Sequence, residues 1–234
     1  APDYGVNWEE VKKLINQKTR MIVINTPHNP TGSILSKNDL LELEKIVSNT
    51  DIIVLSDEVY EHLIYEDEEH QSVASYPVLA DSAIAVFSFG KTFHVTGWKM
   101  GYVLAPENLM QEFRKVHQFN VFSCNHPIQL ALADYMSDED NYLGLSAFYD
   151  EKRTMFLEMV SASRFKASPS KGTYFQLLNY SEISSLSDVD MAKKLVVDHK
   201  LASIPISVFY HANLDEHFLR FCFAKKEETL KRAG

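Results

Sequence analysis

Five side chains in the first half of this sequence have the types and positions to act on one ligand: the amide of Asn29, the carboxylate of Asp57, the phenol of Tyr60, the hydroxyl of Ser88 and the amine of Lys91. They lie in the motifs Asn29-Pro30-Thr31-Gly32, Asp57-Glu58-Val59-Tyr60 and Ser88-Phe89-Gly90-Lys91, with a further motif at Gly97-Trp98-Lys99-Met100-Gly101. The first three follow short apolar runs at 21–24, 52–55 and 83–87; the fourth precedes a run at 102–104. In an open α/β sheet, ligands gather outside the carboxyl ends of the strands, so these groups could converge on one crevice. Gly90-Lys91-Thr92 is not a nucleotide-phosphate loop, because that loop needs a glycine five residues before Gly90 and Ala85 stands there.

Each feature alone has a plainer reading. Asn-Pro-Thr-Gly is a turn, because proline fixes φ and glycine permits positive φ. Asp57 could cap a helix, and an isolated lysine such as Lys91 is usually solvated. Their common order, each at a strand end, is what raises them above those readings.

The elements that must position these groups follow from hydrophobic spacing. Residues 11–16 end a helix that starts near Trp8, and 21–24 reads as a buried strand. Ser36 caps a second helix with Asp39 as its reciprocal partner, and Leu40, Leu43 and Val47 form its apolar stripe. Residues 52–55, 83–87 and 102–104 are further strands, the last stopped at Pro106. Strands alternating with helices predict an α/β fold with a mostly parallel sheet and helices on both faces. After Pro127 the pattern changes. Helices are expected at 128–136, 143–163 and 189–200, with a break at 137–141, and strands at 174–178, 203–206 and 218–223. This divides the chain into a larger part at 1–140 and a smaller α+β part at 141–234. The acidic run 66–70 reads as a solvated loop.

Composition narrows the function classes. Lys plus Arg number 23 against 32 Asp plus Glu, a net charge of -9 over 234 residues. That balance argues against broad nucleic-acid binding, which needs basic surface to displace counterions. Cys124 and Cys222 are too few and too far apart for a disulfide framework or a metal site, and the histidines show no metal spacing. No apolar run approaches the ~20 residues of a membrane span. Residues 1–4 carry an acid and no basic leader region, so the expected location is the cytoplasm.

Taken together, the line from Ser88 through Lys91 and Gly97 to Tyr102 resembles the lysine motif of the fold type I pyridoxal-phosphate aminotransferases. Asn29-Pro30-Thr31-Gly32 and Asp57-Glu58-Val59-Tyr60 match that family's two upstream motifs, and Arg220-Phe221-Cys222-Phe223-Ala224 matches its carboxylate-arginine motif. The finer likeness is to the methionine and kynurenine aminotransferase branch. It rests on Gly172-Thr173-Tyr174-Phe175, Ile204-Pro205-Ile206-Ser207-Val208-Phe209 and Phe221 through Glu227.

The resemblance implies a cofactor, pyridoxal 5'-phosphate, and a role for each residue. Lys91 would bond the cofactor aldehyde and move the substrate proton as general acid and base. Asp57 would pair with the pyridinium nitrogen and keep the ring protonated. Tyr60 and Asn29 would hydrogen-bond the ring's phenolic oxygen, Ser88 and Lys99 would hold the phosphate, and Arg220 would clamp the substrate carboxylate in a bidentate fork, with Asn29 also a substrate-binding residue. Trp98 and Gly97 read as packing and turn residues, and Tyr174 and Phe175 as core. Phe209 could line the substrate pocket or the core. Cys222 reads as an inert buried thiol, and His94 receives no role.

The implied reaction moves the amino group of a methionine-like or aromatic amino acid to a 2-oxo acid, in a ping-pong cycle, within a homodimer. The family's chain normally begins earlier, so this sequence is expected to be either part of a longer protein or a short form. Bare sheet edges and bare apolar helix faces are then expected, as is weak catalysis by this stretch alone. The same Lys91, Asp57, Tyr60 and Arg220 would equally serve a carbon–sulfur β-lyase. A third reading is a non-catalytic fragment, dimerisation partner or sensor domain, although a DNA-bound sensor would need a basic segment that this sequence lacks.

Overall fold

A computed structural model describes residues 4–66 and 68–234. Residues 1–3, read above for a leader, and Asp67 of the acidic run lie outside the described residues. In chain order the elements are α1 (Trp8–Leu14), β1 (Met21–Asn25), α2 (Lys37–Val47), β2 (Ile53–Asp57), α3 (Pro77–Ala80), β3 (Ala83–Ser88), α4 (Phe89–Thr92), β4 (Gly101–Leu104), α5 (Glu107–Asn120), α6 (His126–Met136), α7 (Asp140–Leu143), α8 (Leu145–Ser161), β5 (Phe175–Asn179), α9 (Asp188–His199), β6 (Ile204–Pro205), β7 (Phe218–Cys222) and α10 (Glu227–Ala233).

The first sheet runs β1-β2-β3-β4. Its first three strands are parallel, and β4 joins β3 antiparallel. The difference follows from the connections. Strands β1 and β2 are joined by a stretch long enough to hold α2, as a parallel crossover requires. Between β3 and β4 the chain makes only α4 and a short 3-10 turn at Thr96–Trp98 before it pairs back. Gly101 makes that pairing possible, because a Cβ there would stand 2.3 Å from the carbonyl oxygen of Phe87.

One face of this sheet packs fully. Val54, Ala83, Ala85 and Phe87 meet Leu40, Leu43 and Val47 of α2, together with Val73 and Leu79. The predicted capping box starts α2: the Ser36 hydroxyl accepts from the Asp39 backbone N–H, and the Asp39 carboxylate accepts from the Ser36 N–H. The other face is covered less. Strand β1 was expected to be buried, but it is a sheet edge and Val23 is 65% exposed.

Other differences from the sequence reading have local causes. No element was predicted between Pro106 and Pro127, yet α5 occupies 14 residues there. Its apolar positions have helical spacing, but none is buried, and Phe119 is 87% exposed. The helix expected at 143–163 is α8, and the short α7, which overlaps the expected break at 137–141, is set off from it at Gly144. The acidic run is more than a solvated loop. Glu66 pairs with the buried Arg153 at 3.2 Å, and His70 Nε2 lies 2.7 Å from the fully buried Glu58. Among the described residues no helix is long and apolar enough to cross a membrane.

The second sheet runs β5-β7-β6 and is antiparallel throughout. Its core joins Phe175, Leu178, Leu219, Phe221 and Phe223 to Tyr149 and Phe156 of α8. Tyr60, Leu63 and Tyr65, which follow β2 in the chain, belong to this second core.

The segments around the two sheets touch at Gly172. Its N–H, and that of Lys171, donate to the Gly32 carbonyl at 2.9 Å, while Thr173 N–H donates to the Leu63 carbonyl at 2.9 Å. A Cβ at Gly172 would stand 2.6 Å from Pro27 Cβ and 3.0 Å from the Leu63 oxygen. The lower chain entropy of alanine would contribute about 0.4–1 kcal/mol of stability. Overpacking between rigid neighbours costs about 1–3 kcal/mol and outweighs it. Gly172→Ala is therefore expected to lower the urea midpoint, whereas an unchanged or higher midpoint would mean that the junction yields.

Candidate functional site

The site begins where β1 and β2 end. The Asp57 carbonyl accepts the Thr26 N–H at 3.0 Å and Asn25 Nδ2 at 2.9 Å. The same Asn25 side chain accepts the Asn29 N–H at 2.8 Å through Oδ1. One amide thus fixes the positions of Asn29 and Asp57 relative to each other. The Asp57 carboxylate accepts the Val59 N–H at 3.3 Å. Further along the loop, His28 Nδ1 lies 2.7 Å from Thr31 Oγ1, which is 2.8 Å from Ser33 Oγ.

Tyr60, Lys91, Asn29 and Arg220 come together across the two sheets. Lys91 Nζ lies 5.6 Å from the centre of the Tyr60 ring. Arg220, on β7, donates a hydrogen bond from Nη1 to Asn29 Oδ1. Its guanidinium lies 4.0 Å from the Phe175 ring and 5.9 Å from the Phe209 ring. Tyr60 packs edge-on against Tyr174 at 5.3 Å and Phe175 at 6.2 Å. Burial, then the Tyr174 hydroxyl, push the Tyr60 phenol above its ordinary pKa; Arg220 opposes the shift and Asp57 adds to it. Tyr60 is therefore a neutral hydrogen-bonding group at physiological pH. Burial lowers the pKa of Arg220 from its usual value, but a guanidinium remains charged in proteins.

Ser88 ends β3 and pairs with Gly101 across the sheet. Lys99 is two residues from that pair, exposed and left-handed at φ 56°. Among the described residues Lys99 makes no hydrogen bond or ion pair. Trp98, read as a packing residue, is 45% exposed. Tyr174 and Phe175 are more than core, since one flanks Tyr60 and the other lies over Arg220. His94 Nδ1 lies 3.2 Å from the Tyr149 hydroxyl. Cys222 is a free, half-buried thiol.

Two positioning groups escaped the sequence reading. Asn25 lies just past the strand expected at 21–24 and was given no role. Glu58 has no role in the motif reading, yet its carboxylate accepts from Ser56 Oγ at 2.8 Å and from the Val73 N–H at 3.1 Å and meets His70. A carboxylate beside the apolar Val59 would have been the available signal.

The donor set suits pyridoxal phosphate. It offers a primary amine for an aldehyde, a carboxylate for a pyridinium, neutral hydrogen-bonding groups for a phenolic oxygen, and a hydroxyl and an ammonium for a phosphate. Among the described residues no group of three or more His, Cys, Asp or Glu could hold a metal ion.

Comparison with known proteins gives a consistent result. The family model described as aminotransferase class I and II matches residues 1–233. The methionine aminotransferase of Escherichia coli (strain K12) is 44% identical over 234 residues, which span all of this chain and 61% of that protein. Kynurenine–oxoglutarate transaminase 3 of Bos taurus is 32% identical, across all of this chain and 56% of that protein. A solved Escherichia coli structure, described as identifying a methionine aminotransferase function, superposes with a TM-score of 0.97 at 44% identity, covering 99% of this chain and 61% of that one. The chain thus spans about three-fifths of the length of these proteins.

The geometry of the first loop carries a pH prediction. Burial lowers the His28 pKa below its usual 6.5. The unfolded chain then takes up this proton at a higher pH than the folded one. The stability tied to neutral His28 is complete above 6.5 and is lost as the pH falls below it. Between pH 7 and pH 5, wild-type stability should fall more steeply than that of His28→Gln, as measured by urea midpoints. Parallel slopes would show that burial of this ring has no effect on proton uptake.

Proposed function

This chain belongs to the aminotransferase class I and II family, and we propose that the whole protein moves the amino group of a methionine-like or aromatic amino acid to a 2-oxo acid, with pyridoxal 5'-phosphate as its cofactor. The observation that carries the proposal is the convergence at the strand ends. An amine at Lys91, a neutral phenol at Tyr60 and a guanidinium at Arg220 stand together around one site. Those are the groups needed to take a proton from an amino acid while holding its carboxylate.

When bound, pyridoxal phosphate supplies an aldehyde that receives the amino group and a ring that accepts the electron pair released at the substrate Cα. The chain's own residues do the rest. Lys91 Nζ would hold the cofactor through its aldehyde carbon in the resting protein and, once the substrate amine had displaced it, would take the substrate Cα proton as general base and deliver it to that aldehyde carbon as general acid. Asp57 would hold a proton on the pyridine nitrogen. Tyr60 and Asn29 would hydrogen-bond the phenolic oxygen, and Ser88 and Lys99 would bind the phosphate. Arg220 binds the substrate carboxylate through its planar fork, with Asn29 accepting one of its N–H groups and thereby setting its direction.

The preference for an apolar donor rests on Phe209 and Tyr174 near this centre and on the names of the relatives. In this reading residues 1–140 form the cofactor part and 141–234 the smaller part. The protein works as a homodimer in the cytoplasm, and the exposed apolar side chains of α5 support a covered surface there. The relatives named above are all transaminating enzymes, so neither the lyase nor the sensor reading gains support from them.

In the whole protein, Lys91→Ala is expected to remove the absorbance of covalently held cofactor and to lower amino transfer by at least about 100-fold. Full turnover in that variant would refute the role of Lys91. Release of pyruvate and ammonia from a sulfur amino acid without any 2-oxo acid would instead point to the lyase.

A further inference from the structure

Asp188 is a carboxylate at 1% exposure with no cationic partner in an ion pair among the described residues. Burial of a lone carboxylate is costly unless hydrogen bonds replace its water. Two do so here, and both come from one residue. Ser207 N–H donates to Oδ2 at 2.6 Å, and Ser207 Oγ donates to Oδ1 at 2.7 Å. Capping of α9 does not account for this carboxylate, because Ser187 already caps the helix by accepting the Asp190 N–H. The carboxylate is spent on Ser207.

Ser207 opens the 3-10 turn Ser207–Phe209. Ile206 and Ser207 are buried, whereas Val208 and Phe209 stand about half in solvent, so packing alone fixes the turn poorly. Beyond it, the Tyr210 hydroxyl is tied to Glu216. Asp188 is itself held in place, since its N–H donates to Asp215 Oδ2 at 2.9 Å. The Phe209 ring that the turn carries lies beside the Arg220 guanidinium. We propose that Asp188 is a positioning residue that sets the preference for the amino-acid side chain, by holding Ser207 and with it the Phe209 ring against Arg220. The inference rests on the function proposed above, in which Arg220 receives the substrate carboxylate.

The test uses two acids and the whole protein loaded with pyridoxal phosphate, with binding followed by calorimetry. Propionate engages Arg220 and little else; 3-phenylpropionate adds a ring. Asp188→Asn is nearly isosteric but turns a donor group toward the donors of Ser207. Ser207→Ala removes one of the two bonds and keeps the carboxylate. Both are expected to weaken 3-phenylpropionate by about tenfold and propionate by less than about twofold. Phe209→Ala should show the same selective loss, and adding Asp188→Asn to it should weaken the ring acid no further. Equal weakening of both acids, or of neither, would overturn the inference while leaving the role of Arg220 intact. Failure of the wild-type protein to bind either acid would bring down the proposed substrate position, and this inference with it.

Discussion

The close approach at Gly172 is the constraint from which the rest of the geometry follows. Three backbone segments, near Gly32, Leu63 and Gly172, meet there with no room for another carbon atom. Because they meet, the loop that ends β1 is set against the second sheet. Because that loop is set, Asn29 reaches Arg220, and the groups on the first sheet face a guanidinium on the second. Two cores with different partners are thus locked into one register by main-chain hydrogen bonds, which tolerate little displacement.

Within that register the proposed site divides its work by environment. In the proposed function Tyr60 stays neutral, and it is buried against two aromatic rings. Arg220, the group proposed to hold charge, has a flat face to rest on in Phe175. A lysine in that place would offer neither the plane nor the fork, so the choice of arginine is fixed by shape as much as by charge. Two buried carboxylates tie distant segments together. Glu58 ties the segment at 70–73 beneath the end of β2, and Asp188 ties the turn at 207–209.

Much of this was legible in the residues, and for physical reasons. The box at Ser36 and Asp39 and the stripe of Leu40, Leu43 and Val47 are local patterns, and local patterns survive folding. The strand-end motifs could be seen because a turn, a strand and a reactive side chain lie next to one another in the chain. What stayed hidden depends on contacts between distant residues. The bond from Arg220 to Asn29 spans 191 positions, and no spacing rule reaches that far. Helix α5 carries the helical spacing in its sequence and could have been read there; what the spacing does not show is that none of its residues is buried. The exposure of Val23 follows from its place at a sheet edge, which a five-residue strand does not declare.

Tyr60, Leu63 and Tyr65 follow β2 directly but pack with residues from α8 onward. During synthesis they leave the ribosome well before those partners exist. At about 5–20 residues per second, the first sheet can form while these side chains wait on the order of ten seconds for their own core. For that interval the nascent chain presents two tyrosines and a leucine in one short stretch to the surroundings. The architecture that joins the two sheets so tightly in the finished protein therefore also sets a period during its making when a chaperone would have something to hold.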